Sequence, residues 1–258
     1  MKLEDIKCIG ILGAGVMGGG IAQSAILAGH KVIVRDLNDE ICDNAKDTII
    51  NGRFGIKGGV ERGKTTQEEM DKAISLLNFT TKVEDLKDCD LVIEAIGGGA
   101  DGAIENKDMK FDIFKELDAV VKKEAVFASN TSRYTIADLA EVTDRKDRFI
   151  GMHLFSPANI MKLVEVIYTE ESTEDITVLI EDLSKSMGKT PVRVKDVPGD
   201  TGFIGNRVMG AARREAMKIV EEGIATAEDV NTAMELGFRW PAGPVPVKGR
   251  SGARSGWK

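Results

Sequence analysis

The chain has 258 residues, 42% hydrophobic and 30% charged, with a formal net charge of −7. Such a length buries a large core, either as one domain or as a main domain with a smaller companion, and no apolar run approaches the roughly 20 residues that cross a bilayer. The acidic balance excludes a generic electrostatic grip on nucleic acid, which needs clustered cations, so neither nucleic acid nor membrane is expected as a partner.

Met1 to Asp5 lead straight into an apolar strand without the basic, apolar and small-residue succession of a secretory leader, and a cytoplasmic location is expected. That strand, "KCIGIL", runs into "GAGVMGGGIAQSAILAG", where Gly13, Gly15 and Gly18 form a GxGxxG pattern around Ala14, Val16 and Met17 and open a helix ending at Gly29. In this context the first glycine permits a tight turn, the second lets a pyrophosphate approach the backbone, and the third packs helix against strand. The helix N-terminus offers unpaired amides to the phosphates. Asp36 ends the second strand, "KVIVRD", where a carboxylate meets an adenosine ribose and repels a 2′-phosphate, so the cofactor expected is NAD. A bare packing turn with Asp36 as a strand-end cap is the alternative. His30, after Gly29, is expected to cap the helix or lie on the surface.

Further strands are expected at "LVIEAI", "AVFASN", "RFIGMHLF", "LVEVIY" and "TPVRVKDV", with a helix at "ENKDMKFDIFKELDAVVKK" whose core face is Ile113, Phe114, Leu117, Val120 and Val121. The alternation predicts an α/β fold, a Rossmann-type doubly wound, mainly parallel sheet over residues 1–198. From residue 199 onward two helical patterns follow without a strand, predicting a small all-helical domain over 199–258, with Thr226 as an N-cap. Two stretches look foreign to this plan. "GGGADGA", residues 97–103, interrupts the passage from strand to helix, and the ending "WPAGPVPVKGRSGARSGWK" is read as loose. Cys8, Cys42 and Cys89 match neither a disulfide framework nor a metal pattern and are read as buried or semi-buried thiols; no metal is expected.

His153 ends an apolar strand and Glu165 lies on the next, beyond Pro157. Together they are either an acid-base unit, with the carboxylate fixing the imidazole tautomer, or a packed histidine near an unrelated surface carboxylate. The hydroxyls of "SNTS", residues 129–132, either reach the same crevice or cap the helix "TIADLA". Asn206 opens the first helix of the last domain, as a site residue or as a cap.

With these residues assembled, the chain resembles the L-3-hydroxyacyl-CoA dehydrogenase family. The resemblance rests on "GAGVMGGGIAQ", "CDLVIEAI", "IENKDMK", "ASNTS", "DRFIGMHLFSPANIMKLVEV", "GKTPVRVKDVPG", "FIGNR" and "EEGIATAEDVNTAMELGFRWPAGP", in order over nearly the whole chain. It implies reversible NAD-linked oxidation of an (S)-3-hydroxyacyl-CoA, an acyl-CoA thioester partner and a homodimer. It implies His153 as the base and Glu165 as its orienting carboxylate. Ser132 and Asn206 would hold the substrate, with Ser132 also on the nicotinamide side, and Glu105 and Lys110 would stand near the nicotinamide ribose. CoA would lie along the helical excursion carrying Lys57, Arg62 and Lys64, unless those cations are only a solvated face. Departures are "GGGADGA", "DTG" before "FIGNR", and the changed ending, which predicts a truncated helical domain with exposed apolar faces. Two other functions remain: a hydroxy-acid dehydrogenase without CoA, and a catalytically impaired NAD-binding fragment.

Overall fold

A computed structural model describes residues 1–97, 105–199 and 202–247. Strand β1 (Cys8–Leu12) leads to helix α1 (Val16–Leu27), which ends as its sequence requires. Gly29 takes φ +89°, its amide bonds the Ile26 carbonyl, and the His30 amide bonds that of Ala25. This closes the last turn in a Schellman motif. Strand β2 (Lys31–Arg35) is followed by α2 (Asp39–Asn51), whose cap Asn38 accepts from the Ile41 amide and whose first turn holds Asp39 and Glu40. The excursion forms α3 (Ile56–Glu61) and α4 (Gln67–Ser75), the latter opened by a reciprocal capping box between Thr66 and Glu69.

Next comes a strand that the apolar pattern does not reveal, β3 (Leu77–Thr80), a four-residue edge strand with no fully buried position. Then follow β4 (Leu91–Glu94), α5 (Lys107–Val120), β5 (Val126–Ser129), α6 (Ile136–Ala140), β6 (Phe149–Leu154), β7 (Leu163–Tyr168), α7 (Glu174–Ser186) and β8 (Thr190–Lys195). The eight strands form one sheet in the order β3-β2-β1-β4-β5-β6-β7-β8, parallel except for the β6–β7 pair. Alternate residues of the central strands face opposite layers. Ile9, Ile11, Ile93, Val126 and Ile150 join α1 and α7 in one core. Phe127 and Phe149, on the alternate positions, meet Phe114 of α5 with ring centroids 4.7–6.3 Å apart.

The chain divides into compact units Met1–Thr201 and Gly202–Lys258. The second contains α8 (Gly205–Glu221) and α9 (Ala227–Thr232), which continues through one wide turn over Ala233–Gly237. Thr226 caps α9 by accepting from the Asp229 amide. The reading of the ending as loose is corrected over its first part. Val245 is buried against Ala216 and Val230, and its amide and carbonyl both bond the Asn231 side chain, at 2.9 and 2.8 Å. A single amide side chain in α9 thus pairs with a non-helical strap as another strand would. Residues 98–103 of "GGGADGA" and residues 200–201 of "DTG" lie outside the described residues.

Candidate active site

The sheet order reverses direction beside β1, which lies between β2 and β4, so the connections leave the carboxyl ends of these strands on opposite faces. A crevice at such a switch point is where open α/β sheets bind ligands. The three glycines of the first turn differ in their reasons. Gly13 has φ +92°, and a Cβ there would stand 2.8 Å from the Ala95 carbonyl oxygen; at Gly18 it would stand 1.8 Å from that of Gly13. At Gly15 a Cβ would meet nothing within 4 Å, so that glycine faces open space rather than the protein. Gly15 is also the N-cap of α1, with no side-chain cap and no acid in the first turn. Asp36 sits beside it, accepting from the amides of Ala14 at 2.6 Å and Leu37 at 2.7 Å. Ala14 is buried, Met17 half-buried, and Val16 exposed.

At the tip of β4 stands a charged network of which sequence reasoning named Glu105, Lys110 and the hydroxyls of "SNTS" and missed the central carboxylate, Glu94. Glu94 is fully buried; its carboxylate accepts from Ser129 Oγ at 2.6 Å, the Ile96 amide at 2.7 Å and Lys110 Nζ at 2.5 Å. Lys110 also donates to the Ile96 carbonyl and lies 3.3 Å from Glu105. Glu105 accepts from Thr131 Oγ1 at 2.6 Å, from the Ser132 amide at 3.3 Å and, at 3.5 Å, from Ser132 Oγ, while Tyr134 donates to its main-chain carbonyl. The hydroxyls of "SNTS" therefore serve carboxylates and do not cap α6. That helix takes its cap from Asp196, which accepts from the Ala137 amide. Burial pushes the Asp196 carboxyl above its ordinary range, against the lowering effect of the amides.

His153 and Glu165 face each other across the antiparallel β6–β7 ladder, with Nδ1 2.7 Å from Oε2. His153 is 5% exposed and Glu165 is fully buried, so of the two earlier readings the surface carboxylate is ruled out. The Phe155 ring packs on the imidazole at a centroid distance of 4.7 Å. Asn130, in the loop after β5, accepts from the Leu154 amide at 2.8 Å and ties the Ser132 loop to the residue after His153. The turn between β6 and β7 is held from two sides. Asn159 bonds Gln23 of α1 and the Phe54 carbonyl, while Lys189 donates to the carbonyls of Ala158 and Met161. Burial, with a smaller contribution from Lys162, lowers the Lys189 ammonium from its ordinary range.

The carboxyl edge thus gathers Gly13 to Gly18, Asp36, Glu105, Lys110, Ser132, His153 and Glu165 in the first unit. Lys57 and Arg62 are exposed on α3 and at its end, as is Lys64. Asn206 lies exposed in the first turn of α8, in the second unit, and does not cap it; the cap position is Ile204. His30 half-buries its ring and places Nε2 3.1 Å from Ser186 Oγ, and burial lowers its pKa. Of the missed residues, Glu94 did carry a signal: a glutamate within the apolar run "LVIEAI" must find a partner if the run is buried.

Comparison with known proteins accounts for both units. Residues 8–197 match the model of the 3-hydroxyacyl-CoA dehydrogenase NAD binding domain, and residues 202–258 match that of the 3-hydroxyacyl-CoA dehydrogenase C-terminal domain. A probable 3-hydroxybutyryl-CoA dehydrogenase of Deinococcus radiodurans is 38% identical over 92% of this chain and 81% of its own length. The mitochondrial hydroxyacyl-coenzyme A dehydrogenase of Homo sapiens is also 38% identical, over 94% of this chain and 75% of its own. The crystal structure of (S)-3-hydroxybutyryl-CoA dehydrogenase from Ralstonia eutropha superposes with a TM-score of 0.85 at 37% identity, covering 93% of this chain and 80% of that one. Among the described residues, no helix is long and apolar enough to cross a membrane. With its dinucleotide turn and both domain models in register, the chain belongs to the 3-hydroxyacyl-CoA dehydrogenase family.

Proposed function

We propose that this protein catalyses the reversible, NAD-dependent oxidation of an (S)-3-hydroxyacyl-CoA to the 3-oxoacyl-CoA, with His153 as general base. The observation that carries this is the buried 2.7 Å contact between His153 and Glu165, on the same strand-end edge as an open dinucleotide turn. The turn fits the cofactor: Gly15 leaves the room a pyrophosphate needs, and the first turn of α1 presents amides with no acid to repel it. Asp36 would take the ribose hydroxyls and disfavour a 2′-phosphate. When bound, NAD supplies the electrophilic carbon that takes the hydrogen and its electron pair from C3 of the substrate.

The protein's own contribution is to move one proton and hold two oxygens. Glu165 accepts from Nδ1–H of His153, which fixes the tautomer and leaves Nε2 as the nitrogen that takes the 3-hydroxyl proton. As the imidazolium forms, the adjacent carboxylate stabilises it in surroundings from which water is excluded. Ser132 turns its hydroxyl proton to the 3-oxygen, while its amide stays bonded to Glu105, itself held by Lys110, which Glu94 anchors. Asn206 would hold the thioester end, and Lys57 and Arg62 the CoA phosphates. The test is NADH formation from (S)-3-hydroxybutyryl-CoA, with free 3-hydroxybutyrate as the comparison. Turnover of the thioester with little or none of the free acid supports the proposal. A folded sample that binds NADH yet oxidises no thioester overturns it, and equal turnover of the free acid overturns the CoA assignment.

A further inference from the structure

The amino ends of β1 and β4 bring together two cysteines 81 positions apart, with Cys8 Sγ 3.6 Å from Cys89 Sγ. Both are free thiols; Cys8 is partly exposed and Cys89 is buried at 1% exposure. Their backbones are clamped. Asp90 accepts from the amides of Lys7 and Cys8 at 2.7 and 2.9 Å, its own amide bonds the Cys8 carbonyl at 2.9 Å, and its other carboxylate oxygen takes Lys122 at 2.5 Å. Gly10 completes the niche: a Cβ there would stand 3.2 Å from Cys89 Sγ. The thiols are therefore held side by side, 3.6 Å apart against a bond length of about 2.05 Å.

We infer that Cys8 and Cys89 form an oxidation site in which Cys8 reacts with a hydroperoxide and Cys89 resolves the product into an intrachain disulfide. The two sulfurs have different parts. The hydrogen bond with Cys89, then Lys31 and Lys122, lower the pKa of the Cys8 thiol, against burial and Asp90, which raise it. The same contact, with burial, raises the pKa of the Cys89 thiol. Cys8, partly exposed while Cys89 is buried, is the thiol a hydroperoxide can reach, and it ionises to become the nucleophile. Cys8 sulfur attacks the terminal oxygen of the hydroperoxide; the O–O bond breaks, and the departing alkoxide takes a proton to leave as alcohol, giving Cys8 sulfenic acid. With the charge on Cys8 gone, Cys89 releases its proton and attacks the Cys8 sulfur. The S–S bond forms, the S–O bond breaks, and hydroxide leaves with that proton as water. Two thiols lose two electrons, and the peroxide gains them.

The test uses the reduced full chain and stoichiometric hydrogen peroxide under native conditions, followed by alkylation in denaturant and peptide mapping without reduction. The expected result is a linked pair of peptides containing Cys8 and Cys89, reversed by dithiothreitol, with Cys42 alkylated. In Cys89→Ser, Cys8 should stop at the sulfenic acid and be captured by dimedone; in Cys8→Ser, peroxide consumption should fall at least about tenfold. Cys42→Ser should leave the link intact. Preferential oxidation of Cys42, or a linkage only between chains, would overturn the assignment.

Discussion

The two ends of the same parallel strands bury charge for different purposes. At the amino ends, Arg145 is 2% exposed and each of its N–H groups meets an acceptor. Nε bonds Asp118, and the two terminal nitrogens bond the carbonyls of Asp118, Val121, Lys122 and Ala125, while the guanidinium stacks 4.1 Å over Phe127. Four of those five acceptors are main-chain carbonyls between the last turn of α5 and the start of β5, and those of Asp118 and Val121 belong to the helix end, where carbonyls lack intrahelical partners. At the carboxyl ends, Lys110 serves mainly side chains, Glu94 and Glu105, and Glu105 in turn holds the Ser132 loop. One end spends its cation on closing the backbone. The other uses its charges to aim polar groups at a crevice.

That contrast fails first at His153 if it is wrong. His153→Asn should lower turnover by about 10²- to 10⁴-fold, the range for loss of a positioned general base, while NADH binding stays within a few-fold. Glu165→Gln should fall in the same direction, since the tautomer and the imidazolium both lose their carboxylate. Turnover unchanged in either variant would make this pair structural, like its counterpart at the other end. Steady-state kinetics with an NADH titration reads both quantities.

Arg145→Ala probes the opposite end. Removing one member of a buried pair leaves the Asp118 carboxylate with the Asp144 amide alone and takes the guanidinium from four carbonyls, and should cost about 3–5 kcal/mol in urea unfolding. The fraction still folded should turn over normally. A loss of activity per folded molecule greater than the loss of stability would erase the distinction between the ends.

The third comparison lies within the dinucleotide turn. Gly15→Ala adds a methyl group into open space at a backbone of φ −65°, so the thermal midpoint should barely move. NADH affinity should fall about 10- to 100-fold, the worth of one or two charge-assisted hydrogen bonds to a displaced pyrophosphate. Gly18→Ala drives its methyl to 1.8 Å from the Gly13 carbonyl oxygen and should disrupt the fold itself. Equal effects of the two substitutions on stability would show that Gly15 also faces protein.

How far these features were legible in the sequence follows from their range. The strand "LVEVIY" reads directly, and Leu163–Tyr168 forms it. The GxGxxG turn, Asp36 and His153 are visible because each marks the end of an apolar run, and Glu165 because it interrupts one. The edge strand Leu77–Thr80 is hidden, since three half-buried residues and one exposed one beside a single neighbouring strand show no alternation. Arg145 and Asp118 are hidden for another reason: both read as surface charges until the fold brings residues 27 positions apart into one layer. The same holds for Cys8 and Cys89, which composition identifies as thiols but only the β1–β4 register makes a pair. Signals confined to one element survive in sequence; pairings across elements do not.

The smallest effect expected is at Asp90, where the amino-end clamp is tied to Lys122 and lies near the surface. Burial pushes the Asp90 carboxyl up, but the hydrogen bond from Lys122 and the amides of Cys8 and Lys7 outweigh it, and the net shift is downward. The unfolded chain therefore binds more protons between the folded and ordinary values, and stability rises with pH across that window. The contribution is complete above the ordinary carboxylate range, roughly pH 4, and is lost as pH falls through the folded value. Lys122 gives the mirror image: its hydrogen bond with Asp90 raises its pKa, so its contribution is present at neutral pH and lost as pH rises through the raised value. Asp90→Asn should thus be less stable than the wild type by a constant margin from about pH 5 to 9, with the margin shrinking on both flanks. Because the pair is partly solvated, added salt should also narrow it. A margin that persists unchanged once pH has fallen through the folded value would mean that the asparagine loses geometry rather than charge, whereas no margin at neutral pH would mean that the amides, which an asparagine carbonyl can still accept from, hold this corner without help from charge.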